Sequence, residues 1–211
     1  MSKFHLPVMW LFALFFLYCN TIFAQTAQFY GFQQSQGVYE ELQNPTNIVT
    51  ATDVNLENKK YQITLPFSIP FNNETHSSMH VHSSGFVSFG VNAPSGTTPI
   101  SNSVTTFDGA VSALGAYITG RYSAVDNIAA TISYETIGTA PNRELVVQWK
   151  DFGYFSVTQS LINTYNLNFQ IRLNENGEIK FVYDLSKIGS PTTFNTQIGL
   201  RGGTSADFNN R

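Results

Sequence analysis

Apolar and polar residues alternate with a period of two along much of this chain. The clearest run is Asn166–Leu173, where Leu167, Phe169, Ile171 and Leu173 point one way and Asn166, Asn168, Gln170 and Arg172 the other. That spacing belongs to a strand with one buried face. Asn174-Glu175-Asn176-Gly177 follows, a turn-forming set in which Gly177 can supply a positive φ. In the next run, Glu178–Tyr183, the residues Ile179, Phe181 and Tyr183 share a face. Two alternating runs around such a loop predict an antiparallel hairpin.

The same pattern recurs upstream. Tyr61, Ile63, Leu65, Phe67, Ile69 and Phe71 alternate with other residues, but Pro66 and Pro70 interrupt any regular ladder. Proline has no N–H to give a ladder, so this segment is expected at an edge or a bend. Phe86–Phe89 reads as a short strand entered through Ser83-Ser84-Gly85. Ile132 and Tyr134 share a face, as do Leu145, Val147 and Trp149, and Ile198 and Leu200 form the last apolar pair. Adding Phe29–Gln33 and Val38–Leu42 gives roughly ten strands, the number and spacing of an antiparallel β-sandwich or jelly roll. Gly109–Tyr122 is rich in small residues and reads equally as a strand or as a crossing loop. No segment has the period of an amphipathic helix, and neither a repeat nor a second domain is visible. The fold class expected is therefore all-β.

Composition sharpens this. Only 12% of residues are charged while 14% are aromatic, which excludes a disordered chain. The net charge of −3 comes without a basic block, so no nucleic-acid footprint is present.

The N-terminus changes the expected compartment. Lys3 precedes an uncharged apolar run from Leu6 to Tyr18, and Thr21-Ile22-Phe23-Ala24 leads into Gln25. A basic start, a short apolar stretch and a small residue before a polar one form a secretory signal; the run is shorter than a spanning helix needs, which sets an uncleaved anchor behind it, and the bulky Leu17-Tyr18 does the same for lipid attachment at Cys19. Residues 1–24 are expected to be that signal and residues 25–211 a single sandwich domain without a transmembrane segment. Cleavage after Ala24 removes Lys3 and takes the net charge to −4. It also removes Cys19, the only cysteine, and with it disulfides, thiolate nucleophiles and cysteine-ligated zinc.

Several phrases, in order, resemble one family. Ser83-Ser84-Gly85-Phe86-Val87-Ser88-Phe89-Gly90 is similar to a step of a β-sandwich module found in secreted and cell-surface proteins of Bacteroidetes. Ile132–Arg143, with its Thr139-Ala140-Pro141-Asn142-Arg143 ending, looks like that module's signature and leads into Val147-Gln148-Trp149-Lys150-Asp151-Phe152. Asn168–Leu173 and Ile198–Gly203 resemble its later blocks. The module has a nidogen-like look and usually stands at the front of longer proteins, often ones ending in a type IX secretion sorting domain. The resemblance implies an exported location and a sandwich, and it brings no catalytic residues. Ala113–Tyr117 lacks an Asp that members of the family often carry, which weakens a cation or sugar contact at that point. The text also stops at Arg211 where related chains run on, the pattern of a front module.

Tested for chemistry, the chain offers little. Glu74–His82 holds three of the four histidines. On a strand, His80 and His82 share a side opposite Met79 and Val81, and His76 or Glu74 would have to complete a metal site. A polar strand face bearing solvated histidines is the plainer reading. There is no HExxH, nucleophile elbow, P-loop or dinucleotide fingerprint. Tyr117, Tyr122, Tyr154 and Phe155 sit in loop-like text where rings could meet a sugar, and Tyr154 and Phe155 are the candidates for such a contact. Trp149, in step with Leu145 and Val147, belongs to the core. The expectation is a non-catalytic secreted or outer-membrane-associated module with an adhesion or scaffolding role, no cofactor, and a glycan or protein ligand. The alternatives are a carbohydrate-binding module and, further off, a metal-dependent hydrolase using His76, His80 and His82.

Overall fold

The computed structural model describes residues 26–50, 56–101, 107–156, 161–184 and 195–211. The signal segment proposed for residues 1–24 lies outside them. Among the described residues fourteen strands follow a 3-10 turn at Ala27–Phe29: β1 Thr46–Thr50, β2 Lys60–Phe71, β3 Glu74–His82, β4 Phe86–Phe89, β5 Gly109–Ser112, β6 Ile118–Gly120 and β7 Tyr122–Ser123, then β8 Ile128–Ala129, β9 Thr131–Ile137, β10 Glu144–Phe155, β11 Leu161–Asn174, β12 Ile179–Asp184, β13 Gly199–Arg201 and β14 Phe208–Asn210. No helix among the described residues is long and apolar enough to cross a membrane.

Two antiparallel sheets form a sandwich. The first runs β1-β9-β10-β11-β12, with β6 paired to the far end of β10; the second runs β14-β13-β5-β4-β3-β2; β7 and β8 form a separate ribbon. The hairpin expected from alternation is β11–β12, with Leu173 opposite Ile179 and Phe169 opposite Tyr183. Gly177 holds φ 90° in its turn, a conformation open to glycine. The proline-bearing strand is β2, an edge strand whose register with β3 breaks between Thr64 and Ile69, on either side of Pro66.

The inner faces interdigitate as the alternation requires. Leu145, Val147, Trp149, Phe169 and Ile171 from the first sheet share one buried cluster with Met79, Val81, Val87, Phe89 and Val111 from the second. Trp149 stacks on Phe169 at 5.1 Å between ring centroids. Two polar ties cross the gap: Trp149 Nε1 donates to the His82 carbonyl at 3.0 Å, and the Tyr183 hydroxyl donates to the Ala113 carbonyl at 2.6 Å. Gly85, in the turn between β3 and β4, packs tightly against the first sheet: its φ is 84° and a Cβ there would lie 2.9 Å from both the Phe169 ring and Leu114 Cβ.

Three parts of the sequence reading are corrected. Phe29–Gln33 and Val38–Leu42 are not strands: the first begins on the last residue of the 3-10 turn, and the second crosses the outside of the first sheet. Phe155 and Tyr154 are strand residues of β10 rather than loop residues. The strand β1 has no such signal, its Thr-Asn-Ile-Val-Thr sequence showing little alternation. The ambiguous Gly109–Tyr122 segment supplies β5, β6 and the start of β7.

Candidate functional site

Alternation makes the second side chain of every pair polar, and such faces are ordinarily solvated. Here they are not. On the outer face of the first sheet, Ser133, Gln148 and Gln170 stand side by side on β9, β10 and β11. Gln170 is 0% and Gln148 3% exposed, and Asn168 beside them is equally buried. Buried amides need partners, and a strap of main chain provides them.

The strap is Tyr39–Asn44, running across the strands. Over β11, Gln170 Nε2 donates to the Glu40 carbonyl at 2.7 Å and to Gln148 Oε1 at 2.8 Å. Over β10, the Leu42 N–H donates to Gln148 Oε1 at 3.2 Å, and Lys150 Nζ meets Glu41 Oε2 at 2.6 Å. Over β9, Glu135 Oε2 accepts the N–H groups of Gln43 and Asn44, each at 3.0 Å. After Pro45 the chain turns at the sheet edge and becomes β1, the neighbour of β9. Arg172 Nε donates to Gln170 Oε1 at 2.9 Å, and its NH1 pairs with Glu144 at 3.0 Å. The Tyr39 hydroxyl is raised well above its usual pKa, chiefly by burial and then by the nearby Glu41 and Asp184 carboxylates. Asp151, at a register break in β10, holds φ 57°; its N–H donates to Asn168 Oδ1 at 2.9 Å. A bulge of this kind re-aims the strand at that point.

The outer face of the second sheet is covered differently. Gln197 Oε1 accepts the N–H groups of Ile100 and Ser101 at 2.8 and 3.1 Å, and Ser112 Oγ donates to the Gln197 carbonyl at 2.5 Å. Arg201, 2% exposed, lays its guanidinium 4.3 Å from the Phe107 ring centre and donates to the Pro99 carbonyl at 3.2 Å.

The histidine strand, β3, belongs to this second sheet and divides its three imidazoles. His80 and His82 share the outer face, as alternation requires. His76 does not join them: the register break with β2 places it opposite Ile69, stacked on the core ring of Phe89 at 4.4 Å. Its Nε2 lies 3.3 Å from the Phe71 carbonyl oxygen. His82 is buried against Phe86 at 3.9 Å, with Nε2 2.9 Å from Ser88 Oγ. Burial, with His80 and Lys60 nearby, pushes its pKa down to about 3. The pKa of His80 is also lowered, by burial first and Lys60 second. An imidazole stacked on carbon and bonded to a hydroxyl is a buried side chain, not a solvated one. Among the described residues no group of three His, Cys, Asp or Glu is placed to hold a metal ion.

The aromatic candidates are also spoken for. Phe155 is 6% exposed and packs with Tyr117 at 5.6 Å; Tyr154 is half-buried and meets Tyr165 edge-on at 6.0 Å. Tyr117 donates its hydroxyl to Glu57. Of the four, only Tyr122 is largely exposed, on the β7–β8 ribbon. The feature the sequence reading missed is the strap, because contacts of side chains with distant main chain leave no periodic signal.

No curated protein and no solved structure matches the chain. What does match, over residues 29–211 and so over both sheets and the strap, is one family, and the chain belongs to it: the NIDO-related family.

Proposed function

We propose that this chain is a non-catalytic module of an extracellular or cell-surface protein, with an adhesion or scaffolding role. Membership of the NIDO-related family across residues 29–211 carries the reading, since that family is a nidogen-like module type suited to an extracellular setting. The use the fold makes of its reactive side chains supports it. His82 is stacked and bonded on the outer face of the second sheet, Glu135 caps the strap, and Glu144, Glu175 and Glu41 pair with Arg172, Arg143 and Lys150. These are structural tasks. The N-terminal signal-like segment adds an export route, and the resemblance to Bacteroidetes surface modules adds a setting in which the chain is one part of a larger protein.

The test is a solid-phase screen of the purified chain against immobilised extracellular glycans and proteins, with parallel assays for hydrolysis of the glycans and of esters. Saturable binding without turnover fits the proposal. Retention on glycans alone would move the assignment to a carbohydrate-binding module, and turnover that scales with protein concentration would contradict it.

A further inference from the structure

Cleavage after Ala24 leaves Gln25 as the first residue of the exported chain. Glutamine is the residue whose side-chain carboxamide reaches its own α-amine, so that the two can close an unstrained lactam ring. An α-amine has an ordinary pKa of about 7.7–8.0, so an unprotonated, nucleophilic fraction is present at neutral pH.

Gln25 lies outside the described residues, but the chain is held from Thr26 onward. Ala27 is 0% exposed and belongs to the core cluster. The Phe29 N–H donates to the Thr26 carbonyl at 3.0 Å, and the Gln28 N–H to Asp207 Oδ1 at 3.0 Å. Asn209 Nδ2 donates to the Tyr30 carbonyl at 2.8 Å. The 3-10 turn is thus clamped to β14 at the edge of the second sheet, and Gln25 joins it through Thr26 alone. Thr26 Oγ1 is buried and has no hydrogen-bond partner among the described residues. A hydroxyl can accept from an ammonium or donate to a lactam carbonyl. Of these two neighbours the ammonium brings a charge to desolvate beside the core, and the lactam does not.

We propose that Gln25 is a modification site, converted to pyroglutamate once the signal segment is removed. The α-amine nitrogen attacks the side-chain Cδ, and the bond from Cδ to the carboxamide nitrogen breaks. That nitrogen leaves as ammonia, taking one proton from the attacking amine. Nothing is oxidised or reduced, and no co-reactant is consumed. The product has a neutral lactam in place of the terminal charge. It also lacks the free amine that aminopeptidases grip, which suits a chain exposed outside the cell. The inference rests on the reading of the chain as exported, and it can fail while that reading stands.

The test uses the native protein, freshly recovered from the medium or the cell surface. Stepwise N-terminal degradation of the intact chain should give no sequence. After unfolding and treatment with pyroglutamyl aminopeptidase, it should read Thr26-Ala27-Gln28. The N-terminal chymotryptic peptide should be lighter by one ammonia than a peptide beginning with free Gln25. As a second measurement, the wild type should resist an aminopeptidase that removes the first residue of an exported Gln25→Ser variant. A chain that begins at Gln25 with a free amine overturns the proposal and leaves the export reading intact, as does equal trimming of the wild type and the variant. A chain that begins at a later residue also overturns it. A chain that retains Met1 overturns the proposal and the export reading together.

Discussion

Acid is the most informative perturbation, because His82 is kept neutral by its surroundings. Its pKa is near 3 in the folded chain against 6.5 for an unperturbed imidazole, and burial is the leading cause. Between those two values the unfolded chain binds a proton that the folded chain refuses. Stability therefore rises with pH through this window: the His82 contribution is fully present above about pH 6.5 and is lost as pH falls toward 3. Working the linkage with these two values, the loss between pH 7 and pH 5 is about 2 kcal/mol, and at pH 4 about 3 kcal/mol. His80, its pKa also lowered, adds to the loss in the same direction.

The assay is urea unfolding at pH 7, 6, 5 and 4, for the wild type and for His82→Gln. The amide can still reach Ser88 Oγ but cannot take up a proton. At pH 7 the variant should be less stable by about 1–2 kcal/mol, having lost the stack on Phe86 and the imidazole bond. Carboxylates titrate in both proteins, so the difference between them isolates the histidine. The wild type should lose about 2 kcal/mol more than the variant between pH 7 and pH 5. Parallel loss in the two proteins would refute the reasoning, for it would mean that His82 is free to charge in the folded chain.

Three further outcomes follow from the packing. Gly85→Ala puts a methyl against Phe169 and Leu114 from a left-handed backbone, and should cost roughly 2–3 kcal/mol in urea unfolding. Trp149→Phe keeps an aromatic ring beside Phe169 but leaves the His82 carbonyl without its donor; a loss of about 2–4 kcal/mol is expected, read from the shift in thermal midpoint. Gln170→Ala removes the amide bonded to Glu40 and Gln148 and should cost about 1–3 kcal/mol, with faster hydrogen exchange at Leu42 while the β3–β4 amides stay unchanged.

Much of the fold was legible because period two encodes one buried face. Leu167, Phe169, Ile171 and Leu173 and their partners Ile179, Phe181 and Tyr183 sit where alternation puts them, and Pro66 and Pro70 fall on an edge strand. Met79 and Val81 point inward and His80 and His82 outward on the same principle. His76 broke the pattern because the register between β2 and β3 shifts between His76 and Ser78, and a shift of register moves a side chain to the other face. The outer faces misled for a different reason. Gln148, Gln170 and Ser133 look like solvent-facing strand residues, and nothing local distinguishes a polar side chain facing water from one facing a strap more than a hundred residues away. Val38–Leu42 misled in the converse direction, since apolar residues in an extended segment suit a strand and a sheet-crossing strap alike. The histidines misled in the same way as the outer faces: the strand pattern suggests solvated imidazoles, and nothing local shows that His80 and His82 are buried.

The central claim, an exported NIDO-related sandwich, is tested most directly by the N-terminal residue and location of the native protein in fractionated cells. The account predicts a chain beginning at Gln25, recovered from the medium or the cell surface and open to a membrane-impermeant label. A chain retaining Met1 and confined to the cytosol would contradict it.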